Sequence, residues 1–405
     1  MTKLSFDEAL TQLLTAAIPL AETEILPLEN SLGRVLAQGQ VSSLNVPPHD
    51  NSAMDGYALR CADVTAEGVE LPISQRIAAG SVGHTLAAGT AARIFTGAPV
   101  PAGADAVVMQ ERCEHRDSVV VINHVPRPGE NIRRSGEDIA QGAEILSAGS
   151  SLSPQALGLL ASVGIAQIPV LRRLRVALFS TGDELVSPGQ PLPPGAIYNS
   201  NRYLLRGLLE RLGCEVRDLG IVADTLEATR AALRQAAEGS DLILTSGGVS
   251  VGEEDHVKPA VEAEGKLTLW SIAIKPGKPL AFGHIRRQDG SSQADFIGVP
   301  GNPVAAFVTF LLLVRPFIRA RQGLEAKCPT PLLLPAAFDW KKADPRRNFL
   351  RVQRDADGRV SLFANQGSGV LTSTLWADGL VDLAPGQLVA AGDLVPYLPF
   401  SGLLD

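Results

Sequence analysis

The first apolar pattern in the chain is helical. Phe6, Ala9, Leu10, Leu13, Leu14 and Ala17 fall on one face, and Ser5 with Glu8 forms a capping box, so residues 5–17 are predicted as an amphipathic helix. A second helix is predicted near Leu28 to Ala37. Pro47 and Pro48 then exclude helix, and a dense polar loop follows: His49, Asp50, Asn51, Ser52, Asp55. It reads as a turn-rich linker or as a functional loop. Short apolar runs punctuated by glycine and proline make residues 57–148 β-rich, as in Ala92–Phe95, Ala106–Met109 and Ser118–Ile122. Thr96 to Pro101 is a turn at a strand end. Arg133 and Arg134, before Gly136-Glu137-Asp138, fit a solvated hairpin or a charged rim of a cleft. Ser153-Pro154 starts a short helix to Val163, so the β-rich segment looks inserted between two halves of a helical unit.

From residue 173 the pattern changes to strand–helix alternation. Val176–Phe179 is a buried-type strand, Asn199–Leu212 a helix, Glu215–Val222 a strand, Leu226–Ala237 a helix and Leu242–Leu244 a strand. This is a parallel α/β sheet, and ligands bind such sheets beyond the carboxyl ends of the strands. Thr245-Ser246-Gly247-Gly248 follows one such end and leads into a helical segment, Glu253 to Ala263. Two glycines let backbone N–H groups converge, and a helix N-terminus adds its dipole, so the loop suits a phosphate. It equally suits a plain turn whose acidic residues complement the helix dipole. Three strand ends carry acids: Asp183 and Glu184, then Asp224, then Glu254 and Asp255. Together with the glycine loop they favour a metal-assisted phosphate site. Lys275 and Lys278 sit on a loop stiffened by Pro276 and Pro279, as charges held towards an anion. Gly298 to Val304 opens the last long helix, with Pro303 as its first residue, Asn302 as its cap, and Pro316 expected to kink or end its apolar part. Residues 330–405 return to a β-like pattern that fits a small barrel or sandwich, with a polar loop at Asn365–Gly369 preceded by Arg346, Phe349 and Arg351.

Composition narrows the class. A chain of 405 residues exceeds one core, so roughly two to four domains are expected. The net charge of −7 and the 5% aromatic content disfavour a nucleic-acid partner. Cys61, Cys113, Cys214 and Cys328 are too scattered for a zinc site or a disulfide framework. The N-terminus has no signal pattern, and the apolar run Val304–Val314 is too short to span a bilayer, so a cytoplasmic protein without a membrane partner is expected.

The motifs, in their order and spacing, resemble the molybdopterin molybdenumtransferases along almost the whole length. The pieces are Asp50 to Tyr57, Thr96 to Pro99, Arg134 to Asp138, Phe179 to Leu185, Ser246 to Gly252, Ile274 to Pro279 and Pro300 to Pro303. The resemblance implies a multidomain α/β and β fold. It has a helical unit (1–44 and 149–172) interrupted by an inserted β-rich domain (45–148). A parallel α/β molybdopterin-binding domain (173–326) and a C-terminal β-barrel (327–405) complete it. It implies insertion of molybdate into adenylylated molybdopterin, with Mg²⁺-dependent release of AMP. It also implies a homodimer, with the cleft between the α/β domain of one subunit and the inserted domain of the other. Contact with the adenylyltransferase that supplies the pterin is expected.

Carried onto this chain, the implied catalytic residues are Asp55, Asp138, Glu184, Asp224 and Asp255, with Glu184, Asp224 and Asp255 as candidate Mg²⁺ ligands. The implied substrate contacts are Thr96, Thr181, Ser246, Gly247, Gly248, Pro300 and Asn302, with Lys275, Lys278, Arg351 and Ser368 around the oxyanion. One departure is visible: Ala305 stands where the family commonly has serine, leaving the backbone or Ser368 to supply that contact. Two alternatives stay open, a molybdopterin adenylyltransferase, which needs only the α/β domain, and a non-enzymatic scaffold.

Overall fold

The computed structural model describes residues 4–249, 256–277, 279–290, 292–326 and 329–404. The chain divides into two compact units: residues 1–24, 33–35 and 171–405, and residues 25–32 and 36–170.

The first unit is built on a six-stranded sheet. Its order is Glu215–Val222, Arg175–Thr181, Leu242–Ser246, Gln293–Val299, Pro279–Arg286 and Gly265–Ser271. The first four strands run parallel and the last two are added by antiparallel pairing, so the expected parallel sheet is extended by a hairpin edge. Alternation of side chains places Val176 and Leu178 in one core and Ala177 and Phe179 in another, as the two-residue period of a strand requires. Helix Ser200–Arg211 contributes Leu205, Leu208 and Leu209 to the first core. Helices Leu226–Ala237 and Val257–Glu264 contribute Leu233, Ala236 and Val261 to the second. With both faces covered, the inner strands Arg175–Thr181, Leu242–Ser246 and Gln293–Val299 are buried almost throughout, whereas the edge strand Glu215–Val222 carries Arg217 and Asp218.

The chain runs from Arg175–Thr181 outward to Glu215–Val222 and then crosses to Leu242–Ser246 on the other side. The order reverses between Arg175–Thr181 and Leu242–Ser246. Their carboxyl ends therefore open a crevice where two loops diverge, the place at which such sheets take ligands.

The final long helix meets part of its expectation and departs from the rest. Pro303 is its first residue, but Asn302 makes no side-chain capping bond. The helix continues past Pro316, because a π-helical turn at Phe310–Val314 precedes the α-helical Arg315–Arg321. A wider turn accommodates the ring and the missing N–H of a proline within a helix. The whole helix, Pro303–Arg321, is also long and apolar enough by length and composition to cross a membrane, unlike the shorter run read from sequence. Its apolar side chains are core: 83% of its most apolar window is buried.

The predicted first helix forms as Phe6–Ala16, with both bonds of the Ser5–Glu8 capping box. It packs into the α/β core rather than with the second predicted half of a helical unit. Phe6 stacks on Phe349 at 5.4 Å, and Arg347 donates to Asp7 at 2.9 Å. The helix predicted near Leu28 to Ala37 does not form. Leu28–Asn30 makes a single 3-10 turn, Gly33 reverses the chain at φ +72°, and the Leu36 N–H pairs with Ser150. Tertiary hydrogen bonds outweigh a weak local helix preference there.

In the second unit, six strands lie in the order Ala106–Met109, Gly56–Leu59, Ala91–Ile94, Val69–Ile77, Val119–Ile122 and Cys113–Arg116. This is the β-rich segment expected from sequence, and helix Pro154–Ser162 with its Ser153 cap lies beyond it. Asn51–Ser52 pairs with Ile132–Arg133, which brings the two polar motifs of this segment together.

The C-terminal strands belong to the first unit. They follow the order Ile274–Lys275, Arg347–Arg354, Gly379–Leu383, Leu394–Pro399 and Leu332–Pro335, with Val360–Leu362 beside Arg347–Arg354. A bridge from Ala336 to Val360 links the two ends of that ladder. The strand Ile274–Lys275 thus ties the lysine loop to this sheet.

Candidate functional site

A cavity of about 970 Å³ opens at the carboxyl ends of the parallel strands, where the strand order reverses. The sequence forces this opening at Gly247 and Gly248. Both have positive φ, +89° and +61°. A Cβ on Gly247 would stand 2.6 Å from the Thr181 carbonyl oxygen, and one on Gly248 would stand 2.4 Å from Val257 Cγ2. Only glycine lets the loop turn and approach Thr181 this closely.

Ten residues predicted from sequence line this one cavity: Thr181, Glu184, Asp224, Ser246, Gly247, Gly248, Lys275, Pro300, Asn302 and Ser368. They come from six separate segments, which the fold gathers at one end of the sheet. Asp255 and Lys278 lie outside the described residues, as do Glu253, Glu254 and Cys328. Asp55, Thr96 and Asp138 belong to the second unit. There the Thr96 backbone N–H and hydroxyl both donate to Asp55 Oδ1 at 2.8 Å, which with the nearby Arg93 charge holds the Asp55 carboxyl below its ordinary range. Arg134 pairs with Asp50 at 2.5 Å, and the Ser135 N–H donates to the same carboxylate, so Arg134 is neutralised, whereas Arg133 is exposed and forms no ion pair among the described residues. Asp138 is exposed.

Arg351 is repositioned relative to its predicted role. It is 1% exposed and does not line the cavity. Its guanidinium donates to Ser373 Oγ at 3.1 Å and to the Gly367 carbonyl at 3.0 Å. Burial pushes its pKa down to about 10, so it keeps its charge at neutral pH. Arg351 therefore holds the Asn365–Gly369 loop from behind, and the loop presents Ser368. The Ser368 carbonyl accepts from the Val304 N–H at 3.0 Å, which seats the loop on the start of the last helix beside Ala305.

Four further residues shape the cavity without having been singled out as site residues. Arg346 lines it and makes a bidentate pair with Asp344, both bonds at 3.0 Å. Asp344 also takes Lys275 Nζ at 3.2 Å. The Arg346 fork, then its backbone N–H and Lys275, hold the Asp344 carboxyl far below the usual carboxylate range, against the opposing effect of burial. Asn201, 6% exposed, donates from Nδ2 to the Gly301 carbonyl at 2.6 Å and to Ser246 Oγ at 3.3 Å. Asn199 caps the same helix through the Arg202 N–H. The pair of asparagines that opens this helix, after the short strand Ile197–Tyr198, was the available sequence signal.

Three buried polar atoms in the lining have no hydrogen-bond partner among the described residues: Thr181 Oγ1, Asn199 Nδ2 and Asn201 Oδ1. Leaving such atoms unpaired costs about 1–3 kcal/mol each, so their convergence on one cavity reads as a place for a polar occupant. Among the described residues no group of three or more His, Cys, Asp or Glu stands together as a metal site. Glu184 and Asp224 nevertheless line the same cavity as the glycine loop. Mg²⁺ is commonly held by one or two carboxylates with substrate phosphate and water, so this donor set fits it.

The chain matches three family signatures in order. These are the MoeA N-terminal region (domain I and II) over residues 4–164, the probable molybdopterin binding domain over 177–320, and the MoeA C-terminal region (domain IV) over 334–400. It is 40% identical to the molybdopterin molybdenumtransferase of Haemophilus influenzae, across 99% of this chain and 100% of that one. It is 38% identical to the protein of the same name from Synechococcus elongatus, across 96% and 98%. The crystal structure of the molybdopterin biosynthesis MoeA protein from Pyrococcus horikoshii superposes with a TM-score of 0.82 at 31% identity, covering 98% of this chain and 99% of that one. With sequence, signatures and architecture agreeing over nearly the full length, the chain belongs to the molybdopterin molybdenumtransferase family.

Proposed function

We propose that this chain inserts molybdate into adenylylated molybdopterin and releases AMP. The observation that carries the reading is one cavity that joins the Ser246-Gly247-Gly248 loop, the carboxylates Glu184 and Asp224, and the Lys275–Asp344–Arg346 cluster. The loop N–H groups and the hydroxyls of Ser246 and Thr181 cradle the pyrophosphate that joins pterin and adenylate. Lys275 and Arg346 supply positive charge for the tetrahedral oxyanion, with the Ser368 hydroxyl as a donor in the place that Ala305 leaves without one. Arg351 acts behind that loop, by keeping Ser368 in place. Glu184 and Asp224 would hold Mg²⁺, joined by Asp255 on the reading from sequence. When bound, the ion neutralises charge that develops on the cleaved anhydride. The chain's own residues orient the two substrates, and loss of AMP makes insertion effectively one-way.

The working unit is a homodimer in which Asp55, Thr96 and Asp138 of one subunit serve the α/β cavity of the other. The pterin arrives by contact with its adenylyltransferase, in the cytoplasm. The deciding experiment incubates the purified chain with adenylylated molybdopterin, Mg²⁺ and molybdate and follows AMP by chromatography. Molybdate-dependent AMP release is expected. Release of no AMP, together with formation of adenylylated pterin from ATP and free molybdopterin, would reverse the assignment in favour of adenylyl transfer.

A further inference from the structure

The sheet of the second unit carries a row of positive charge to which the reaction above gives no role beyond the effect of Arg93 on Asp55. Arg76 and Arg93 are direct partners on the neighbouring parallel strands Val69–Ile77 and Ala91–Ile94, and Tyr57 stands opposite Arg93 on the next strand. Their side chains alternate with aromatic rings. The Arg93 guanidinium lies 5.0 Å from the centre of the Tyr57 ring and 4.8 Å from that of Phe95, and the Arg76 guanidinium lies 4.5 Å from the Phe95 ring. Arg93 is fixed further by bonds to Gln110 Oε1 at 2.6 Å and to the Gly56 carbonyl at 3.1 Å. Among the described residues neither arginine forms an ion pair. A cavity of about 660 Å³ opens over this stack, lined also by His115, Asp117 and Ser118.

Like charges directly opposite each other on a sheet destabilise it. The aromatic rings hold the guanidiniums in place but do not cancel their repulsion. An anion shared between the two would. Paired residues on neighbouring strands project from the same face, so both guanidiniums flank the Phe95 ring and line one cavity. A single carboxylate has one charge and two oxygens and engages one fork. A phosphate monoester has a charge of about −1.5 to −2 and three acceptor oxygens, enough for both forks and the Ser118 hydroxyl. Asp117 opposes binding but is one carboxylate against two arginines among the lining residues, and Arg93 is also in the field of Asp55.

We propose that this cavity is a second anion site, built for the phosphate group of a small ligand and separate from the α/β cavity. The test is calorimetric titration of the full chain with two probes, inorganic phosphate and ribose 5-phosphate. It is repeated on Arg76→Ala, Arg76→Lys and Arg93→Ala. Any anion affinity of the α/β cavity is common to all four proteins, so the site is read from the difference between them. Wild type is expected to bind at least one probe, Arg76→Ala and Arg93→Ala to bind it at least tenfold more weakly, and Arg76→Lys to fall between. The tighter probe identifies the source, free phosphate or a phosphorylated organic molecule. The Arg76 side chain makes no hydrogen bond among the described residues, so Arg76→Ala is expected to melt at or above the wild-type temperature. Equal affinity in wild type and Arg76→Ala, or no binding of either probe to wild type at millimolar concentration, overturns the proposal.

Discussion

Lys275 and Asp344 are joined by an ion pair of 3.2 Å, across 69 residues of sequence, and the same carboxylate is gripped by Arg346. The pair fixes a lysine that faces the cavity through an acid on the edge of the C-terminal sheet.

The pH dependence of stability should expose this tie. The Asp344 carboxyl titrates in the folded state well below its unfolded value of about 3.9. Its contribution is therefore fully present above that value and is lost as pH falls through the lower, folded value. Asp344→Asn should lower stability by about 2 kcal/mol at pH 7, the scale for hydrogen bonds to charged groups. The deficit should stay constant between about pH 5 and pH 8, the plateau expected from that unfolded value, and shrink below about pH 4. Thermal melts of both proteins across that range decide it. A deficit that persists unchanged at about pH 3 would contradict a charge-based tie.

The glycine loop makes a prediction with an internal control. Gly248→Ala places a Cβ 2.4 Å from Val257 Cγ2 and 2.8 Å from Thr181 Oγ1 at φ +61°. Gly358→Ala meets the same backbone strain at φ +79°, with no atom within 4 Å. Both should lose about 1–3 kcal/mol of stability. Only Gly248→Ala should lose AMP release, by more than about tenfold, because only it distorts the cradle. Parallel melting curves and turnover assays separate the two effects. Equal turnover in the two variants would remove the loop from the site.

The α/β portion was legible because its strands are uninterrupted apolar runs between helices with clear periodicity. Leu242–Leu244 and Val176–Phe179 form strands as read, and the loops at their carboxyl ends meet at the cavity. What was illegible depended on distant partners. Nothing local distinguishes Asp344, in an Ala-Asp-Pro turn, from a solvated loop acid until Lys275 is beside it. Arg351 is expected at the oxyanion, yet it is buried behind the Asn365–Gly369 loop, where the Ser373 hydroxyl and the Gly367 carbonyl accept its protons. The segment Leu28–Ala37 has a helical pattern but spends its backbone groups on Ser150 and Pro169.

Asn201 tests whether the buried polar atoms around the cavity serve binding. Asn201→Ala leaves the Gly301 carbonyl without its 2.6 Å partner and should cost about 1–3 kcal/mol. Asn201→Asp keeps the size but sets a carboxylate against that carbonyl and adds negative charge to an anion site. Affinity for adenylylated pterin, measured by calorimetry, should therefore fall in the order wild type, Asn201→Ala, Asn201→Asp. A tie between Asn201→Asp and wild type counts against an anionic ligand at this wall.

The proposed sharing of the cavity between subunits is open to a complementation test with Asp55 and Asp224. Asp55 lies in the second unit, held by Thr96, and Asp224 lines the α/β cavity of the first. Asp55→Ala and Asp224→Ala homodimers should each be nearly inactive, since each removes a charged group proposed to act on the substrate. In a mixed dimer built on a shared cleft, both lesions fall in one cleft and the other cleft carries neither. Random association of equal amounts makes about half the dimers mixed, each with one of two clefts intact, so the mixture should recover about a quarter of wild-type activity by two-fold symmetry. If both residues served a cleft within one subunit, every cleft in a mixed dimer would hold one lesion and mixing would restore nothing. The measurement is AMP release from dimers carrying a different tag on each subunit, purified through both tags after co-expression. Purification removes the parent homodimers, so the purified species should reach about half of wild-type activity per dimer. Activity at the level of the parents in such a verified mixed dimer would reject the shared cleft and place all of the chemistry within one chain.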